Sequence, residues 1–157
     1  MAGVEAVECF VCRKQRERGA LVPGGFVGED ELMVVSHAAP WPPEAADRAV
    51  YLGYLFIEPR RHAPGLADLT DAEARAVGCW CARASRALRE AGGAEHVYAK
   101  VIGDGVPHLH VHLVARYPGA PREYWQDRVT EWPGAPRGLI PEITDFVEGL
   151  RAYLGTG

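Results

Sequence analysis

Residues 106–116 read Val-Pro-His-Leu-His-Val-His-Leu-Val-Ala-Arg, and no other stretch constrains the fold as tightly. His108, His110 and His112 alternate with Leu109, Val111 and Leu113, and period two is the pattern of a half-buried strand. Side chains two apart on a strand share a face and lie about 7 Å from each other. The pattern predicts Leu109, Val111 and Leu113 against a core and three imidazoles lined up on the opposite face. A solvated strand face ordinarily mixes Thr, Lys and Glu. Imidazole is a nucleophile, a general base and a metal ligand near neutral pH, so a row of three reads as reactive. The plainer alternative is a set of surface histidines or an adventitious metal patch.

The flanking elements build a sheet around this strand. Pro23-Gly24-Gly25 and Glu29-Asp30 are turn signals, and residues 32–35 read as a strand, together a hairpin. Three prolines make residues 38–47 a loop. Residues 49–58 are rich in aromatic and branched side chains and read as one strand, and 95–102 as another. Gly103-Asp104-Gly105 turns the chain into the histidine strand, either as a plain hairpin turn or as backbone amides open to an anion. Thr70 and Glu73 form a capping box at the start of a long helix within 66–91, which Gly92-Gly93 ends. Val77, Trp80, Ala84 and Leu88 repeat at helical spacing and face the sheet. Cys79 and Cys81, two apart on that helix, diverge and read as small apolar side chains. Residues 122–132 read as a short helix with Tyr124, Trp125 and Trp132, and 142–154 as an amphipathic helix with Ile143, Phe146, Val147, Leu150 and Tyr153 on one face. The fold class predicted is α+β, an antiparallel sheet of about five strands with a long helix on one face.

Cys9 and Cys12 form a C-x-x-C pair. Zinc and redox chemistry both use that spacing. A redox pair follows a strand, which residues 1–8 do not resemble, and a metal half-site needs two more ligands. The 157 residues suffice for one domain with a core, and 48% hydrophobic with 24% charged is an ordinary globular composition. A formal net charge of -4 argues against bulk nucleic-acid binding. No apolar run approaches a membrane span and no signal peptide is legible, so a cytoplasmic protein with reduced cysteines is expected.

His108-Leu-His-Val-His-Leu-Val114 resembles the histidine-triad superfamily of nucleotide hydrolases and transferases. Gly53-Tyr-Leu-Phe-Ile-Glu-Pro59-Arg-Arg-His62 is similar to that family's second signature, and the resemblance runs from about residue 9 to 116. Residues 117–157 then read as a family-variable C-terminal extension of a single domain. The resemblance implies a structural zinc held by Cys9, Cys12, His62 and His108, a closed Cys2His2 set with no position for water. His37 is the reserve candidate for the third ligand, and His62 has the plainer reading of a loop residue capping a helix. The resemblance further implies that His110 attacks an α-phosphorus, giving a nucleotidyl-histidine. His112 then hydrogen-bonds the phosphate or bridging atom and helps protonate the leaving group, with Gly103, Asp104 and Gly105 beside the phosphate. Three departures stand out: Tyr54 where a histidine is common, Gly105 where hydrolases carry a hydroxyl, and Ser36-His37 where an acid holds the ribose. Lys100 is a possible substitute charge.

The expected activity is hydrolysis of nucleoside phosphoramidates or dinucleoside polyphosphates. A nucleotidyltransferase using the same intermediate and a zinc-stabilised nucleotide-binding module with little turnover are the alternatives. A two-fold homodimer is implied by the resemblance alone.

Overall fold

The computed structural model describes residues 8–155. The reading of residues 1–7 lies outside them. Helix α1, Phe10–Glu17, is followed by a short hairpin of β1, Gly28–Glu29, and β2, Met33–His37. Asp30 makes the turn, its carboxylate accepting from the amides of Leu32 and Met33. Then come β3, Val50–Tyr51, β4, Tyr54–Pro59, and α2, Asp71–Glu90. The strands β5, His96–Val101, and β6, Val111–Arg116, precede β7, Arg137–Gly138, and helix α3, Ile140–Gly155. The main sheet is antiparallel with strand order β1-β2-β4-β6-β5, the predicted α+β architecture.

Register sorts the two faces. Met33, Val35, Leu55, Ile57, Val111 and Leu113 point to one side and join Val77, Trp80, Ala84 and Leu88 of α2 in a continuous core. The capping box is formed as the sequence predicts: Glu73 N–H donates to Thr70 Oγ1 at 3.2 Å, and Thr70 N–H to Glu73 Oε2 at 2.9 Å. On the other face Ser36 lies opposite Phe56, Phe56 opposite His112, and His112 opposite Lys100. Four strands thus place a row of three polar side chains and Phe56 across the sheet, and α1 sits over part of it.

Residues 49–58 form two strands instead of one. Gly53 breaks them with φ 87°, and a Cβ there would lie 2.5 Å from the Tyr117 hydroxyl. Only glycine fits such a turn, and an unbroken apolar run gives no periodic sign of it. Strand β3 leaves the main sheet to pair with β7, two residues to which the sequence pattern assigns no element. Residues 122–132 form two 3-10 turns separated at Trp125 rather than a helix. The Trp125 ring lies 3.8 Å from the Arg116 guanidinium, and its indole N–H donates to the Ala120 carbonyl. Among the described residues no helix is long and apolar enough to cross a membrane.

His37 is 1% exposed at the end of β2. Its Nδ1–H donates to the Ala38 carbonyl at 2.7 Å, and its Nε2 accepts from the Gly53 amide at 2.9 Å. Both ring nitrogens are engaged, so His37 is a structural residue that pins the Gly53 turn. Burial pushes it down to about 4. The unfolded chain then takes up a proton that the folded one refuses, so stability is complete above pH 6.5 and declines as pH falls toward 4. Such a difference is worth at most about 3 kcal/mol. His37→Gln is predicted to lower the urea midpoint at pH 7 and to flatten its decline between pH 6.5 and 4. Equal slopes in both proteins would contradict this.

Candidate functional site

The C-x-x-C pair stands at the start of α1, where Cys9 is the N-cap. Four side chains converge there. Cys12 Sγ lies 3.4 Å from His108 Nδ1 and 3.6 Å from His62 Nδ1, and Cys9 Sγ lies 3.5 Å from His108 Nδ1. One ligand atom from each of the four falls within 4.8 Å of every other. Metal–sulfur bonds of about 2.3 Å and metal–nitrogen bonds of about 2.0–2.1 Å at tetrahedral angles put sulfur and nitrogen roughly 3.5 Å apart. The cluster is therefore compatible with a tetrahedral zinc. His108 supplies a second test of fit. Its Nε2 lies 2.8 Å from the Pro59 carbonyl. A carbonyl only accepts, so the proton sits on Nε2 and Nδ1 turns its lone pair to the sulfurs. Metal-bound histidines are characteristically oriented in this way. Cys9 and Cys12 are free thiols. Burial and the neighbouring Cys9 push Cys12 up, an opposition to ionisation that a divalent cation would reverse.

The same logic applies two residues on. His110 Nδ1 lies 2.7 Å from the carbonyl of His108. Nδ1 must donate, which leaves Nε2 bare. His112 is held through Nδ1 by the Tyr54 hydroxyl at 2.7 Å, while its Nε2 is buried with no partner among the described residues. Burial first, then His110 and Lys100, hold His112 down at about 4, so its ring is neutral at ordinary pH. The two imidazoles sit 4.9 Å apart, and Phe56 packs edgewise on both.

His110 and His112 open on a cavity of about 200 Å³, also lined by Phe10, Val11, Lys14, Phe56, Glu58 and Val106. A second cavity of about 200 Å³ shares Phe10, Lys14 and Phe56 and continues to Trp41, whose ring meets Phe10 edge-on at 4.9 Å. Together they reach the size of a small-molecule site, roughly 300–1,000 Å³. Between them lies a buried ion pair. Lys14 Nζ donates to Glu58 Oε1 at 2.5 Å and to Ser36 Oγ at 3.2 Å, and Glu58 Oε2 is buried with no partner among the described residues. Removing one member of such a pair strands a buried charge at a cost of about 3–5 kcal/mol.

The structure brings Cys9, Cys12, His62 and His108 together, and places His110 and His112 side by side. Gly103, Asp104 and Gly105 belong to the loop that leads to Val106, and none of them lines the cavity of the histidines. Lys100 is beside His112 in register and lies 3.8 Å from Asp127. The acid missing near Ser36 has a neighbour in Glu58, which sequence reasoning passed over. Alternation along β4 places Glu58 on the face of Phe56, and a carboxylate inside so apolar a strand is the signal for it. Lys14 is less legible, since α1 alone does not say what it packs on.

Three comparisons bear on this geometry. The HIT domain family model matches residues 45–119. No curated protein matches the chain. Among solved structures, a Zn-bound histidine triad family protein from Mycobacterium smegmatis superposes with a TM-score of 0.66 at 19% identity, over 95% of this chain and 94% of that one. A histidine triad protein from Bradyrhizobium japonicum gives 0.62 at 25% identity, over 82% and 89%. One from Sinorhizobium meliloti gives 0.62 at 22%, over 89% and 92%.

The donor set predicts roughly one zinc per chain in protein never exposed to chelator. Cys12→Ser should bring elemental zinc well below half of that and lower the melting temperature. Wild-type protein with less than about half a zinc per chain would contradict the assignment.

Proposed function

The chain carries a histidine-triad (HIT) domain, and from that premise we propose that it is a nucleotide hydrolase working through a covalent His110 intermediate. Membership supports nucleotide binding with hydrolase or transferase chemistry. The hydrogen bond from His110 Nδ1 to the His108 carbonyl carries the finer reading, because it leaves Nε2 as a free lone pair on the wall of a cavity. Neutral imidazole in that tautomer is a competent nucleophile. The substrates are nucleoside phosphoramidates or dinucleoside polyphosphates.

In the first half-reaction His110 Nε2 attacks the α-phosphorus. A phosphorus–nitrogen bond to the ring forms, and the bond to the leaving group breaks with its electron pair going to the leaving atom. An amine leaving group takes up a proton from solvent. In the second half, water attacks the same phosphorus, its proton returns to solvent, and the nucleoside monophosphate departs from regenerated His110. His112 Nε2, buried beside it, contacts the phosphate or the leaving atom. Gly103, Asp104 and Gly105, just before Val106, approach the phosphate from the loop. The second cavity, walled by Phe10 and Trp41, offers aromatic rings against which a heterocyclic base stacks.

A zinc held by Cys9, Cys12, His62 and His108 would be structural, since four protein ligands leave no position for water. It would tie the start of α1 to His108, two residues before the nucleophile. One domain spans residues 1–157, with 117–157 as its C-terminal extension, in which β7 pairs with β3 and α3 packs into the common core. Cytoplasmic residence and a homodimer, which light scattering would read as twice 17.1 kDa, belong to the same proposal.

Steady-state release of AMP from an adenosine phosphoramidate and from diadenosine polyphosphates tests the reading. His110→Ala should lower kcat by at least about a thousandfold while zinc content and circular dichroism stay unchanged. Unimpaired turnover in the variant would overturn it. Tight nucleotide binding without turnover in wild-type protein would favour a binding module.

A further inference from the structure

We propose that Tyr54 is a positioning residue that holds His112 in the Nε2–H tautomer, so that the cavity meets a hydrogen-bond donor beside the nucleophile. The inference rests on the hydrolase reading for its kinetic consequence, though not for its structural content.

The arrangement follows from the sheet. Tyr54 opens β4, two residues before Phe56, and Phe56 is opposite His112. Tyr54 and His112 therefore share the face over which the cavity lies, offset by one step. Their rings meet edge-on with centroids 5.8 Å apart, and the hydroxyl reaches Nδ1 at 2.7 Å. Among the described residues this is the hydroxyl's one hydrogen bond. A phenol and an imidazole nitrogen can share a proton either way. If Nδ1 held the hydrogen, the phenolic hydrogen would be left without an acceptor in a half-buried position, and Nε2 would be a buried bare acceptor facing phosphate oxygens. If the phenol donates, its hydrogen is satisfied and the one unsatisfied atom is Nε2–H, a donor aimed at the site of an anionic substrate. The second arrangement leaves fewer groups stranded and complements the ligand.

Burial supports it from both sides. It pushes the Tyr54 phenol up, so the hydroxyl keeps its proton. It also holds His112 down at about 4, so the ring is a neutral acceptor at Nδ1. No proton moves from Tyr54 during turnover. The tyrosine fixes a tautomer and a ring orientation, as second partners of site histidines commonly do. His110 and His112 then differ in kind despite their alternation: the backbone makes His110 a bare Nε2, and Tyr54 makes His112 an Nε2–H. A donor at the leaving atom assists where charge develops there, which matters most when the leaving group is poor.

Long-range proton–nitrogen correlation NMR of the zinc-loaded protein reads the tautomer without any substrate. His112 should show a protonated Nε2 and a bare Nδ1. Tyr54→Phe keeps the ring against Phe56 and should lose this preference, giving a tautomer mixture. A protonated Nδ1 in the wild-type protein would overturn the proposal. The kinetic arm compares two adenylates, one with an electron-poor phenol and one with an alkyl amine as leaving group. Tyr54→Phe should lower kcat for the amine by about 10–100-fold, the worth of one hydrogen bond to a charged group, and leave the phenol within about threefold. Equal loss on both, or none on either, would overturn it. Wild-type protein with protonated Nε2 but no turnover of either substrate would sink the hydrolase reading and leave the assignment of Tyr54 standing.

Discussion

His108 is the residue on which the rest of the site depends. Its Nε2–H is anchored on the Pro59 carbonyl, its Nδ1 faces the sulfurs of Cys9 and Cys12, and its own carbonyl fixes His110. The ring is fully buried. Its backbone is held as well, with its amide donating to the Val106 carbonyl and the next amide, Leu109, donating to the Ala63 carbonyl at 2.7 Å. These bonds replace a sheet ladder, since β6 begins only at Val111. The first two histidines therefore lie on a strap tied to the end of β4, and the cysteine cluster clamps that strap from the α1 side. An imidazole placed this way has its orientation set before any ligand arrives, the condition under which positioned groups are most effective.

The electrostatics of the cavity are built in from neighbouring strands and α1. Lys14 and Glu58 offset each other's charge where the two cavities meet, so the pair adds a dipole but no net charge to the wall. Glu58 Oε2 and His112 Nε2 are each buried and unpartnered on that wall. Unsatisfied buried polar atoms are uncommon in folded proteins and mark places where a ligand or water completes the set.

The sequence was most legible where a short-period pattern met a local chemical rule. Alternation over residues 108–113 placed Leu109, Val111 and Leu113 in the core, and Thr70 with Glu73 fixed the start of α2. The pairing of Cys9 and Cys12 with His62 and His108 was legible only through resemblance, because nothing in the spacing says that α1 folds back over the end of β4. Gly53 was lost inside an apolar run, and β7 was too short for any pattern. Tyr54 showed only as a departure from the family, and its hydrogen bond to His112 depends on a one-step strand offset that no single-strand pattern encodes. Lys14 and Glu58, forty-four residues apart, pair through the packing of a helix on a sheet, and such pairing is a tertiary fact.

The account's central claim is that the bare Nε2 of His110 forms the covalent intermediate. Rapid mixing of zinc-loaded protein with an adenosine phosphoramidate, a quench without acid, proteolysis and tandem mass spectrometry test it most directly. The account predicts one adenylyl group on the peptide spanning residues 106–116, localised to His110. An adenylyl group on another residue, or AMP release in single turnover with no adduct at any time point, would contradict it.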